Sequence, residues 1–453
     1  MANDLRKVSS SKSVAVIECK IIASNGEVKD LREPLLFNNI QIYESIYSPV
    51  ITGTIQLIEG VNLYSLLSMH GNEYLYISFC RPGEDAANQK YTRTFRIYKS
   101  SLRQPAEKTQ VQTYVLHFCS EEMVFSNQQI ISRALVGLTS SDYILGILAS
   151  DLRVNLKRIA RVERSQGIQN ATLSKFKPFE AIDYLCKNAY NENNSPYLFF
   201  ENREGYNFIS LEKLFQQNPL EPALNYSTAR YTYSSEDSPF KNANEVKKYE
   251  FEQSFDVLDG TEKGMYANRL YTLDLIRQKY TKHDYTLANE QSAKVMLDGF
   301  FPVNNARNRN NKALYEEHDA QVNYWLTNQN QNETPYFVNK SFRVTNTEIE
   351  KTLMQRKVQI NLLNNTRIWC SVPGNPNYTV GYVAKFNLPS FLPNNSERAI
   401  DPYHSGKYLI TDVRHSITPD ELETILVMSK NSVAIPFDVA NNFKPSYKTA
   451  RDF

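Results

Sequence analysis

The sequence predicts a mainly β protein with an α+β insert: two antiparallel β-barrel blocks flanking a middle α/β domain. Three observations predict this. Short alternating apolar runs recur at regular spacing over residues 13–119. Helical spacing takes over in 120–240, and alternating runs return in 241–429. The clearest run is Val50–Ile58. There Ile51, Gly53, Ile55 and Leu57 share one face, while Thr52, Thr54 and Gln56 share the other. That is the period of a half-buried antiparallel strand.

The elements follow in order. Residues 1–12 are polar and are expected to form a flexible N-terminus. Strands are predicted at Ser13–Ala23, Ile40–Glu44, Val50–Ile58, Glu73–Phe79, Tyr91–Ser100 and Gln110–Cys119, with a helix-like patch at Asn62–Leu67. Turn signals at Asn25-Gly26, Gly71-Asn72, Pro82-Gly83 and Pro105 separate them. The middle domain opens with Ser140–Leu152, where Ile144, Ile147, Leu148 and Leu152 are helically spaced behind Ser140 or Ser141 as N-cap. A second helix, Lys177–Tyr190, has Pro178 at its first position and a buried stripe of Phe179, Ile182, Leu185, Cys186 and Ala189. Strands Tyr197–Asn202 and Asn207–Ser210 then form a hairpin about Arg203-Glu204-Gly205, and Leu211–Leu214 starts a helix.

In 241–429 strands are predicted at Val246–Phe255, Met265–Asp274, Thr352–Leu363, Thr366–Ser371, Tyr382–Leu388, Gly406–His415 and Glu421–Ser429, with a turn at Pro373-Gly374-Asn375-Pro376. A polar insertion interrupts this block at about 280–340. Its Asn- and Gln-rich part, 301–334, reads as a mobile surface segment. Residues 430–453 form a polar tail.

Composition narrows the function. At 453 residues the chain exceeds a single core, which stops growing near ~250–300 residues, so two to four domains are expected. A net charge of +2, spread along the chain, argues against sequence-specific nucleic-acid binding. The basic run Arg153, Lys157, Arg158, Arg161 and Arg164 reads as a solvated face or loop. Cys19, Cys80, Cys119, Cys186 and Cys370 include no CxxC pair and read as reduced, buried thiols of a protein made in a cytosol. The N-terminus lacks an apolar signal core, and no 18-residue apolar run occurs, so neither signal-directed secretion nor a membrane span is expected.

Catalytic motifs are absent: no GxSxG, HExxH, P-loop or GxGxxG. Asp401, His404, Asp412 and His415 are the nearest metal-like group. Their spacing is weak, and the histidines are expected to be structural or solvated; Asp412 and Arg414 share one face of their strand, within reach of pairing, and His415 faces the other way. Glu121-Glu122 and Glu316-Glu317 are adjacent, and neighbours on a strand point apart, so they read as surface carboxylates rather than a glycosidase pair. The aromatic group Tyr197, Phe199, Phe200, Tyr206 and Phe208 reads as core rather than a stacking platform. No catalytic, cofactor-binding or metal residue is assigned, and no cofactor is expected.

Three segments carry a resemblance: the opening block ending in Tyr74–Phe79; KPFEAIDYLCKNAYNENNSPYLFFENREGYNFISLEKL at Lys177–Leu214; and SGKYLITDVRHSI from Ser405, preceded by Trp369–Ser390. Across most of residues 13–430 the chain resembles the central hub protein of contractile-tail phage baseplates of the T-even type. More distantly it is similar to late-control D proteins and to the hub part of type VI secretion spike proteins. The resemblance implies tube-like barrels at 13–119 and 241–429 and a middle α/β domain at 120–240. It also implies a homotrimer, a ring adapting a sixfold tail tube to a threefold central spike around a channel for DNA passage.

The implied partners are the spike, the tail tube or its initiator and other baseplate (wedge) proteins. The implied place is the virion baseplate, assembled in the host cytoplasm, and the implied role is structural, not enzymatic. No lysozyme-like domain or long β-helix follows, so a fused spike is not expected. The alternatives are a type VI or pyocin-like hub without its spike, or a polysaccharide-degrading or -binding protein of cell walls.

The tail carries Ile435, Phe437, Phe443, Tyr447 and Phe453 as spaced apolar anchors, while Pro436 and Pro445 disfavour a continuous helix. Such a segment gains order by docking and is expected to lie on a neighbouring subunit or the spike. Deleting 436–453 should leave the rest folded and weaken co-assembly with spike and tube in a pull-down. Undiminished co-assembly would show the segment to be dispensable.

Overall fold

A computed structural model describes residues 14–32, 35–81, 90–105, 111–226, 245–274, 278–287, 296–300, 312–327, 349–390, 400–401 and 403–435. The N-terminal 1–12, the Pro82-Gly83 turn, much of 280–340 and the tail from 436 lie outside the described residues.

The first half holds β1 (Ala15–Ile22), β2 (Val28–Asp30), β3 (Phe37–Ser45), β4 (Thr52–Glu59), α1 (Leu63–Leu66), β5 (Tyr74–Cys80), β6 (Tyr91–Pro105) and β7 (Gln112–Cys119). Its strands pair antiparallel in the order β2-β1-β5-β6-β7-β4-β3. Alternation puts Ile21, Ile40, Ile42, Ile55, Leu57, Ile77, Phe95 and Phe118 in one core.

The middle holds α2 (Glu121–Gln128), β8 (Ile131–Leu138), α3 (Ser140–Gly146), β9 (Ile159–Val162), β10 (Gln169–Phe176), α4 (Pro178–Lys187), β11 (Tyr197–Asn202), β12 (Gly205–Ser210) and α5 (Leu211–Phe215). The N-cap of α3 is Thr139, not Ser140 or Ser141. Asp142, three residues on, bonds back to the Thr139 N–H and completes a capping box. Pro178 opens α4 as expected. The β11–β12 hairpin is buried on both faces. Tyr197, Tyr206 and Phe208 pack on α4, while Phe200 enters the core of the last third. The aromatic group is therefore core, with Phe199 half-buried.

The last part holds β13 (Leu220–Tyr226), β14 (Glu245–Val246), β15 (Lys248–Gln253), α6 (Val257–Glu262), β16 (Ala267–Asp274), β17 (Lys279–Thr286), β18 (Val322–Thr327), α7 (Ile349–Asn364), β19 (Thr366–Pro373), β20 (Val383–Asn387), β21 (Gly406–Ile417) and β22 (Leu422–Lys430). The predicted strand Thr352–Leu363 is wrong: this segment is helix α7. Its buried residues Ile349, Thr352, Gln355, Val358 and Leu362 recur every three or four positions, and no Gly or Pro interrupts it. Met354, Val358 and Leu362 cover the β16–β17–β18 sheet through Met265, Leu270 and Tyr285. Two of these strands, β17 and β18, come from the stretch read as polar insertion. Among the described residues no helix is long and apolar enough to cross a membrane.

The two strand blocks are not separate. Among the described residues fourteen strands form one hydrogen-bonded sheet, and no closed barrel is found. The joining strand is β21. It pairs with β20 through Gly406–Leu409, with β3 through Asp412–Ile417, and with β22 from Leu409 to Ile417. Its far end carries Ile417, which with Leu422 of β22 packs into the first-half core. The α7 reading is testable by Leu362→Ala, which should cost about 2–5 kcal/mol in urea unfolding of the whole chain, the range for a buried leucine.

Candidate functional site

The most elaborate polar constellation lies where first half, middle and last part meet, around the turn of the β11–β12 hairpin. Asn202 Oδ1 accepts the N–H groups of Glu204 at 3.0 Å and Gly205 at 3.2 Å, closing a two-residue turn. Gly205 sits at φ 143°, and a Cβ there would lie 2.0 Å from the Arg158 carbonyl oxygen, so only glycine fits.

The Glu201 side chain is fully buried. It accepts the N–H of Ile51 from the first half at 3.1 Å and the hydroxyl of Ser120, the N-cap of α2, at 2.5 Å. Arg158 reaches it at 2.7 Å, and Arg93 of β6 at 3.5 Å. Arg158 also holds Glu122, which accepts the Tyr206 hydroxyl at 3.1 Å. Burial works against the charge on Arg158, but Glu201 and Glu122 outweigh it and raise its pKa above the ordinary arginine range.

Arg203 spans the seam. It donates to the carbonyls of Lys90 at 3.2 Å and Pro376 at 3.1 Å, and to the Asn377 side chain. Asn202 donates to the Val380 carbonyl at 3.2 Å, and Tyr382 to Glu204 at 2.6 Å. From β3, Glu44 accepts the Thr379 hydroxyl and, at 3.4 Å, the Val380 N–H. Burial pushes the Glu44 pKa up to about 7 against the pull of those two bonds.

Several expectations change here. Glu121 and Glu122 begin helix α2 rather than lying on a strand. Glu121 accepts the Tyr74 hydroxyl, and Glu122 turns inward to Arg158, so the surface reading fails. In the basic run, Arg158 and Arg161 also turn inward, Arg161 donating to Asn207 at 2.7 Å and Gln217 at 2.9 Å. Arg153, Lys157 and Arg164 are exposed. Glu316 is exposed on a short 3-10 turn.

The metal-like quartet divides: the His404 ring stays with Asp401, Nδ1 lying 3.2 Å from Oδ2, while Asp412 and His415 have other partners. Asp401 closes a local turn by accepting the N–H groups of Tyr403 and His404, each at 2.8 Å. Asp412 meets the Ser45 hydroxyl at 2.5 Å and Arg367 at 3.9 Å; Arg414 is not its partner. His415 is buried beside Phe79 and Tyr91 and meets Thr424 at 2.9 Å. Burial, then the charge of Arg203, push its pKa down to about 4. Among the described residues no group of three or more His, Cys, Asp or Glu could hold a metal ion. All five cysteines are buried and unbridged.

Sequence reading missed Glu44, Glu201, Arg203 and Thr379. A signal existed for two of them. Glu44 occupies the inward stripe Ile40, Ile42, Ile46 of its strand, and Glu201 ends the apolar run YLFF.

This arrangement is a joint between the three regions of the chain. Over 417 residues the chain is 22% identical to the probable baseplate hub protein gp334 of Vibrio phage KVP40, covering 87% of this chain and 89% of that one. The chain resembles a phage baseplate hub protein. No family model matches it. Its fold is similar to the 43 kDa tail protein of prophage MuSo2 from Shewanella oneidensis, at 9% identity and a TM-score of 0.52, covering 91% of this chain and 98% of that one.

The joint generates a pH dependence. Glu44 keeps its proton in the folded state up to about pH 7, whereas its ordinary value is 4.5. Between those values the folded protein binds more protons than the unfolded chain, so this contribution to stability declines as pH rises through that window. Glu44→Gln should therefore raise stability at pH 8 by on the order of 2 kcal/mol and change little at pH 4, read from melting curves at both pH values.

Proposed function

We propose that the protein is the structural hub of a contractile-tail baseplate: three copies form a ring that adapts a sixfold tail tube to a threefold spike, with a central channel through which DNA passes. The observation that carries this is the likeness to a baseplate hub protein over nearly the whole of both chains. The mainly β fold, similar to that of a phage tail protein, supports it. In this reading residues 13–119 and 241–429 supply two tube-like units and 120–240 supplies the insert that braces them. The partners are the spike, the tube or its initiator and the wedge proteins, and the place of action is the virion tail, assembled in the host cytoplasm.

The role is mechanical rather than catalytic. A part that transmits axial force needs its tube-facing and spike-facing portions to move as one body. Hydrogen bonds donated by Arg203 and Asn202, and accepted by Glu44, cross the seam and serve that need. Analytical ultracentrifugation of the purified chain with the spike protein of the same genome should give a complex holding three copies, and a particle reconstruction should show the same number. Two or four copies would overturn the reading. Purified cell walls should not lose turbidity on addition of the protein.

A further inference from the structure

Lys430, at the end of β22, is one of the largest fully buried side chains of the molecule and the only charged one in that group among the described residues. Its side chain is 1% exposed. Nζ donates to the carbonyl oxygens of Tyr403 at 2.8 Å and Ser405 at 3.1 Å. The Tyr408 ring lies 5.0 Å away, and the Asp298 Oδ2 atom stands 3.7 Å from Nζ.

Asp298 is placed firmly. Its N–H donates to the Ser432 hydroxyl at 2.8 Å, and the neighbouring Phe300 and Val433 form an antiparallel bridge. One carboxyl oxygen, Oδ1, accepts the Lys407 N–H at 3.4 Å. The other, Oδ2, is buried without a hydrogen-bond partner. It rests against the bare backbone of Gly406, where a Cβ would lie 2.3 Å from it.

A buried ion pair seldom recovers the desolvation of both charges, and a proton passed from ammonium to carboxylate removes both charges at once. The surroundings bring the two groups closer to that exchange. Burial lowers the Lys430 pKa to about 8, against the opposing charges of Asp298 and Asp401, and burial raises that of Asp298. A neutral amine has two N–H bonds and one lone pair. The two carbonyls of Tyr403 and Ser405 take the two N–H groups, which leaves the lone pair toward Asp298. The bare Oδ2 is the oxygen free to receive the proton.

We propose that Lys430 and Asp298 condense into an intramolecular isopeptide bond, a covalent staple between the end of β22 and the segment 296–300. The amine lone pair attacks the Asp298 carboxyl carbon and the new C–N bond forms. The C–Oδ2 bond breaks, and Oδ2 leaves as water carrying its own proton and one from the amine. The remaining amide N–H keeps one of the two carbonyl acceptors. Nothing is oxidised or reduced and no co-reactant is consumed. The Asp298 side chain is 11% exposed, which gives the water a way out. Holding nucleophile and carboxyl in one dry pocket supplies the effective concentration that an uncatalysed condensation lacks in water.

The test is the intact mass of the full-length protein after denaturation. The expected mass is one water below that of the sequence, and a tryptic digest should yield a branched peptide joining Lys430 to Asp298. Lys430→Arg and Asp298→Ala should each restore the sequence mass and the linear peptides. If either variant fails to fold, the wild-type digest still decides. A wild-type mass equal to the sequence, with Lys430 cleaved by trypsin and open to acetylation after denaturation, would overturn the proposal and leave a buried ion pair.

Discussion

The structure depends on one strand with three partners. An antiparallel strand normally bonds one neighbour on each side. β21 is long enough that two different strands, β20 and β3, occupy successive stretches of the same edge while β22 takes the other. The register shift between Ile410 and Asp412 against β22 marks the point at which the strand passes from one neighbourhood to the other. Without β21 the first-half sheet would end at an open β3 edge, and the last part would lose its centre.

The charged joint works within that frame. Burying Glu201 without partners would cost several kcal/mol, yet its acceptor sites are filled by a backbone N–H, a hydroxyl and two guanidinium groups. Each donor comes from a different element, so the carboxylate is satisfied only when β4, β6, α2 and the segment before β9 are assembled around it. The cluster thereby rewards one arrangement of the three regions and penalises near misses. Its worth lies in specificity more than in net stabilisation.

Much of the fold was legible because period-2 alternation survives wherever one face is wet. Val50–Ile58 and Tyr91–Ser100 show it, and each falls on a strand. Proline at the head of α4 and the two-residue turn after Asn202 carried equally local signals. What failed was non-local. α7 keeps a helical spacing of buried positions, but Thr352 and Gln355 within that stripe are polar and weakened its signal until the β16–β17–β18 sheet is seen to cover it. The sharing of β21 between two blocks left no mark in its own residues, since pairing partners are chosen by chain topology. The joint was hidden for a related reason. A glutamate in an apolar stripe reads as an irregularity until Thr379 is brought to it from 335 residues away.

The shared strand also bears on how such a chain can vary. β3 lies near the start of the sequence and β21 near its end, and each completes the other's hydrogen bonding. A chimera that takes its opening third from one relative and its closing third from another must match two surfaces that were never adjacent in the gene. Exchange that keeps Phe37 through Ile417 together preserves the pairing, whereas a crossover inside that span divides it. Inheritance should therefore treat this three-part molecule as a single module, with variation gathering in segments that leave the β3–β21 ladder untouched.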